Sequence, residues 1–190
     1  MRPAQSVEIV HKIGLLPPEP SILEIGAGNL RNYRFIRDKA KLASYSVLEK
    51  ESTRDRFPRE YSAFQSEGGI LVARPENSRR YDTLVCTFVL ETICPATKRA
   101  ALLKDAVTNL QDGGILIVSL RGYSGVFGTK YRRCPLGEGY ISPILTFIKP
   151  FTIAEAVGLI LGSGLSAIKL LQEYRVACPD NIHILAFKEL

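Results

Sequence analysis

No C-x-x-C pair occurs among the four cysteines, Cys86, Cys94, Cys134 and Cys178, so neither a zinc site nor a disulfide framework is indicated. They are read as reduced and mostly structural. No run of about 18 apolar residues occurs, so no membrane-spanning helix is expected. The opening MRPAQSVEIVHKIG lacks the apolar core of a secretion signal, and a cytoplasmic location is expected. Acidic residues are the scarcer charge, 19 against 25 lysines and arginines, giving a formal charge of +6 and a pI near 9.2. That balance suits phosphate or anionic lipid as a partner. The charges nevertheless spread along the chain except in two knots, Arg54 to Arg59 and Lys130 to Arg133, and an ordinary solvated surface explains most of them.

What is there suffices for one core. Hydrophobic residues fill 46% of 190 positions, so the whole chain, 1–190, is expected to be a single domain. Val7, Ile9, Val10 and Ile13 recur at near-helical spacing over Ala4 to Ile13, ahead of Gly14 and the Pro17-Pro18 pair that stop a helix. Ser21 to Ile25 is a short apolar run ending in Gly26-Ala27-Gly28, and Asn29 to Lys41 reads as a helix. Ser44 to Leu48 and Gly69 to Ala73 are further strand-like runs, separated by a polar, helical stretch from Thr53 to Ser62. Tyr81 to Phe88 is a fourth strand. Pro95 to Leu110 follows as a helix with Ala100, Leu103, Ala106, Val107 and Leu110 inward, ended by Gly113-Gly114. Ile115 to Leu120 is a fifth strand whose unbroken apolar run predicts cover on both faces. Such alternation predicts an α/β domain with a mostly parallel sheet. The rhythm breaks from Arg121 to Pro150, where glycines, aromatics and cations read as one long irregular connection, functional or disordered. Thr152 and Glu155 then form a capping box for a helix through Gly164, and Leu165 to Tyr174 and Asn181 to Leu190 read as two closing strands.

The chemistry concentrates at Leu23-Glu24-Ile25-Gly26-Ala27-Gly28-Asn29. A glycine turn at a strand's carboxyl end lets a ligand reach the backbone with no Cβ in the way, and the next helix offers amides to negative groups. A dinucleotide-binding G-x-G-x-x-G would need glycine at position 31, where Arg31 stands, and would not ask for Glu24. The competing role for Glu24 is a structural cap of the glycine turn, but an acidic side chain at a buried strand end costs desolvation unless something pairs with it, which favours a ligand role.

Glu24, Gly26 and Gly28 resemble the first motif of the class I S-adenosylmethionine-dependent methyltransferases, an acidic residue followed by x-Gly-x-Gly. Glu49, 21 positions beyond Gly28 at the end of strand two, is similar to that family's ribose ligand, whose two oxygens accept from two vicinal hydroxyls. Tyr81 to Ile93 resembles the family's fourth strand and turn, Leu110 to Ser119 its turn into strand five, and Phe151 to Leu165 its penultimate helix. The resemblance implies a Rossmann-like, doubly wound sheet of seven strands, mostly parallel with an antiparallel last strand. It also implies methyl transfer from S-adenosylmethionine, with Glu24, Gly26, Ala27, Gly28, Glu49, Thr87 and Phe88 as cofactor-binding candidates. For Thr87 and Phe88 the competing role is strand-end packing, and for Glu49 it is a solvated loop.

Departures from the family bear on recognition. Where an acidic residue often stands near the adenine after strand three, the chain has Arg74-Pro75-Glu76-Asn77, with Glu76 the one counterpart. The Asn-Pro-Pro-Tyr signature of amino-group methylation is missing after strand four, and Cys94-Pro95 reverses the order used by cytosine-C5 enzymes. Both DNA chemistries are disfavoured. Aligning acceptor and methyl supplies much of such catalysis, so no dedicated base is required. If a proton must leave, Glu91, Tyr123 and Tyr131 are the candidates, since His11 lies on the first helix and His183 on the last strand. The run Lys130-Tyr131-Arg132-Arg133, with Tyr123, Phe127 and Tyr140, suits a phosphorylated or carboxylated small molecule or a nucleic acid strand. With no separate nucleic-acid module, a small-molecule acceptor is the expected partner, and no metal is implied. RNA or DNA methylation, and a non-catalytic nucleotide-binding module, stand as alternatives.

Overall fold

The computed structural model describes residues 2–74, 79–123, 131–135, 137–174 and 180–190. Helix α1 (Gln5–Lys12) precedes β1 (Ser21–Ile25), α2 (Arg31–Arg37), β2 (Ser44–Leu48), α3 (Glu51–Arg54), α4 (Pro58–Ser66) and β3 (Ile70–Val72). Then come β4 (Tyr81–Thr87), α5 (Ala96–Thr108), β5 (Leu110–Arg121), the short β6 (Arg132–Arg133), β7 (Tyr140–Ile141) and β8 (Phe147–Ile148), α6 (Ile153–Leu161), β9 (Ala167–Leu170) and β10 (Asn181–Phe187). Seven strands pair in the order β3-β2-β1-β4-β5-β10-β9. Strands β1 to β5 run parallel, whereas β10, the last, is antiparallel to both β5 and β9. This is the doubly wound seven-stranded sheet that the resemblance implies.

Successive side chains on a strand face opposite sides, and here both sides are covered. Leu23, Leu84, Cys86, Leu116 and Val118 pack with Leu103 and Val107 of α5 and Ala156 and Ile160 of α6. Ile22, Val47, Val85 and Ile117 pack with Val7 and Val10 of α1, Tyr33 and Ile36 of α2 and Phe64 of α4. Cover on both faces is why these strands read as unbroken apolar runs. The capping box is present as expected, with the Thr152 side chain accepting from the Glu155 amide and the Glu155 carboxylate accepting from the Thr152 amide.

Several sequence expectations need correction. Gly113-Gly114 does not end α5 but lies within β5, in a bulge where the partners of Tyr81 and Thr83 jump from Leu110 to Ile115. The bulge is held from the far end of the chain: Gly113 N donates to Lys188 O, and Lys188 N to Gly114 O, at 3.2 and 3.0 Å. Ala100 is exposed, and Arg99 is the buried residue of α5 at that level because its guanidinium bonds the carbonyls of Leu90 and Ile93. The 121–150 connection is not wholly irregular, since β6, β7 and β8 form a small antiparallel sheet within it. Helix α2 is shorter than Asn29 to Lys41, starting after Leu30 at φ +62°. The first closing strand stops at Leu170 and gives way to a 3-10 turn, Leu171–Tyr174. Glu76, Phe127, Lys130 and Cys178 lie outside the described residues.

Candidate functional site

The parallel strands all end on one edge of the sheet, and the glycine turn leaves β1 there. Gly26 and Gly28 hold φ of +69° and +57°, a region that favours glycine. Their surroundings differ. A Cβ at Gly26 would lie 2.2 Å from Cγ2 of Val89, so this turn packs against the turn after β4. A Cβ at Gly28 would meet nothing within 4 Å, which leaves the open cradle that a ligand backing onto the turn requires. Ala27, between them, is buried.

Glu49 reaches across from the end of β2. Its Oε2 accepts from Gly28 N and its Oε1 from Lys50 N, both at 2.8 Å, and the Tyr61 hydroxyl donates to Gly28 O at 2.9 Å. The half-buried carboxylate thus sits against the glycine turn and keeps lone pairs for two further donors.

Glu24 is 1% exposed, and the protein itself supplies its partners: Asn32 Nδ2 donates to Oε1 and the Tyr45 hydroxyl to Oε2, each at 2.7 Å. The desolvation cost that pointed to a ligand is thereby met from within. Burial pushes the Glu24 carboxyl up to about 7 against these two bonds. Asn32 also donates to Thr87 Oγ1 at 3.2 Å and accepts from Ala4 N at 2.7 Å, tying the start of α1 to β1 and β4. Thr87 is buried in this network. Phe88 turns at φ +59° directly after it, with its ring edge-on to His183.

His183 lies on the last strand, as expected from the sequence. Because β10 is antiparallel, its first residues lie beside the carboxyl end of β5, with His183 opposite Ser119. Its Nδ1 lies 2.9 Å from Ser119 Oγ, which lies 2.7 Å from Ser6 Oγ, while its buried Nε2 has no hydrogen-bond partner among the described residues. Asn32 and Tyr45 went unrecognised. The signal for Tyr45 was its position two residues before Val47, the register partner of Glu24, which puts both polar side chains on one face.

Of the three base candidates, Glu91 lies in the 3-10 turn after β4, fully buried, with Oε1 3.7 Å from Arg121 Nε and neither oxygen hydrogen-bonded among the described residues. Burial raises it to about 7, so it can take up a proton near neutral pH. Tyr123 is 41% exposed and lines a cavity of about 420 Å³ with Arg133, Glu138, Tyr140, Lys149 and Glu155. The amide of Lys149 donates to the Glu91 carbonyl at 2.7 Å, which joins this cavity to the β4 turn. Tyr131 precedes β6 and is not among the residues lining that cavity. No metal-binding cluster occurs among the described residues, and none of their helices is long and apolar enough to cross a membrane.

No family model matches the sequence, and no curated protein does. Solved structures do match. The CcbJ methyltransferase from Streptomyces caelestis superposes with a TM-score of 0.71 at 14% identity, over 100% of this chain and 91% of that one. The 1,6-didemethyltoxoflavin-N1-methyltransferase of Burkholderia thailandensis, solved with 1,6-didemethyltoxoflavin and S-adenosylhomocysteine, gives 0.69 at 15% identity over 98% and 78%. An S-adenosylmethionine-dependent methyltransferase from Clostridium acetobutylicum gives 0.67 at 12% over 97% and 91%. The chain has the class I methyltransferase fold.

One consequence of this site within the methyltransferase fold is a stability that depends on pH. Glu24 binds its proton more tightly folded than unfolded, so its contribution is fully present below the unfolded value, near 4.5, and is lost as pH rises through about 7. His183, lowered by burial, acts in the opposite sense below its ordinary value, so a comparison isolates Glu24. Thermal midpoints of the native protein should fall relative to those of Glu24→Gln between pH 5 and about 8. Parallel curves would show that Glu24 keeps an ordinary affinity for protons.

Proposed function

We propose that the chain binds S-adenosylmethionine at the carboxyl ends of β1, β2 and β4 and transfers its methyl group to a small molecule. The observation that carries this reading is the Glu49 carboxylate bonded to Gly28 beside the open face of that glycine. When bound, S-adenosylmethionine supplies an electrophilic methyl on a sulfonium, open to in-line displacement. The residues fit it. Glu49 has lone pairs free for two ribose hydroxyls, the Gly28 backbone admits the methionine part without a Cβ, and Thr87 and Phe88 border the same edge. Glu24 works one layer down, fixing the turn through Asn32 and Tyr45. The cavity lined by Tyr123 and Tyr140 supports a small acceptor, and its cations Arg133 and Lys149 are matched by Glu138 and by Glu155, which accepts from Lys149 Nζ at 2.7 Å. A small molecule is also the substrate named for one structural neighbour, 1,6-didemethyltoxoflavin.

Calorimetry with S-adenosylhomocysteine tests the cofactor, with NAD as the competing ligand. The native protein should bind the first and not the second. Glu49→Ala should weaken binding by about 1 to 3 kcal/mol, or about 5- to 150-fold, the cost of leaving donors unpaired. Equal affinity in the native and Glu49→Ala proteins would move the ribose away from β2.

A further inference from the structure

Two of the cysteines that no step of methyl transfer uses are brought together from 40 positions apart in sequence. Cys94 lies between the β4 turn and α5, and Cys134 follows β6 in the insertion. A single buried guanidinium holds both neighbourhoods. Arg99, 4% exposed, donates through Nη2 to Ile93 O at 2.9 Å and to Glu138 Oε2 at 3.4 Å. Ile93 immediately precedes Cys94. Glu138 lies in the turn that Cys134 closes, with Cys134 N donating to Gly139 O at 3.0 Å and Gly137 N to Cys134 O at 3.2 Å. Within that frame the Cys134 thiol is a direct side-chain neighbour of Cys94. Both are free thiols, Cys94 half-buried and Cys134 8% exposed, whereas Cys86 is sealed in the core.

We infer that Cys94 and Cys134 form a reversible disulfide site that takes a low-molecular-weight disulfide, such as glutathione disulfide, as oxidant. The Cys94 thiolate attacks one sulfur of the small disulfide and releases one small thiol. The Cys134 thiolate then attacks the mixed disulfide and releases the second. Two protein S–H bonds and one S–S bond break, one protein S–S bond forms, and two electrons pass to the small disulfide, which leaves as two thiols. Desolvation, with Cys134 and Glu138 nearby, holds the Cys94 thiol above its ordinary value, so Cys94 attacks through a small thiolate fraction and the exchange is slow and faster at higher pH. The bridge would staple the β6–β8 sheet to the β4–α5 junction. Cys134 and Lys149 line the same cavity, and the Lys149 amide bonds Glu91, so oxidation would fix the wall of the proposed acceptor pocket.

The test equilibrates the full chain in glutathione and glutathione disulfide mixtures and reads thiol content, mass and the peptide map. The expected product is two hydrogens lighter, carries a Cys94–Cys134 peptide, and melts about 5 to 15 °C higher, a gain that dithiothreitol reverses. Cys94→Ser should abolish the bridge and the gain, and Cys86→Ser should keep both. Glutathione adducts without an internal bridge, a bridge to Cys178, or unchanged thiol content would each overturn the inference.

Discussion

Gly28→Val is expected to lower the affinity for S-adenosylhomocysteine by at least about 100-fold, or about 2.7 kcal/mol, while the protein stays folded. A Cβ at this position meets no protein atom within 4 Å, so the branched side chain occupies the space beside Glu49 rather than the core. The left-handed backbone, φ +57°, adds about 1 to 2 kcal/mol of strain for any residue with a Cβ. That costs a few degrees of melting temperature and leaves a cooperative transition. Calorimetry and thermal melts separate the two effects. Retained affinity in a folded Gly28→Val protein would mean that the ligand does not back onto this turn.

Gly26→Ala is expected to act the other way round, on the fold first. Its Cβ would fall 2.2 Å from Cγ2 of Val89, and its φ of +69° is strained for alanine. Overpacking and backbone strain together should cost about 2 to 4 kcal/mol, or about 5 to 15 °C in a domain of this size. The clash component can be isolated. In Gly26→Ala with Val89→Ala the nearest remaining side-chain atom is Cβ of residue 89, at 3.4 Å, an ordinary contact. The double variant should therefore be more stable than the sum of its single changes predicts, with the φ strain and the lost packing of the Val89 methyls left. Strict additivity would show that the two turns do not press on each other.

The two glycines look alike in the sequence, and only the third dimension separates a packing glycine from one that faces open space. The same holds for Glu24, whose motif was legible while its partners Asn32 and Tyr45 were not, because they come from a helix and a neighbouring strand. Strands β1, β4 and β5 announced themselves through apolar runs that follow from cover on both faces. The bulge at Gly113-Gly114 did not, since it depends on Lys188 at the far end of the chain. Arg99 displaced Ala100 for a similar reason, as carbonyls of a preceding turn fix which face of α5 is inward. Strands of two residues, like β6 to β8, are too short to carry a period. His183 was discounted for lying on the last strand, and it is the reversal of that strand that brings it to the carboxyl edge.

The central claim is that this edge holds S-adenosylmethionine, and the most direct measurement follows backbone amide resonances as S-adenosylhomocysteine is added. Saturable shifts should concentrate at Gly26 to Gly28, at Glu49 and Lys50, and at Thr87 to Val89, with the outer strands β3 and β9 unaffected. No shifts at millimolar ligand in a folded protein, or shifts confined to other parts of the sheet, would contradict it.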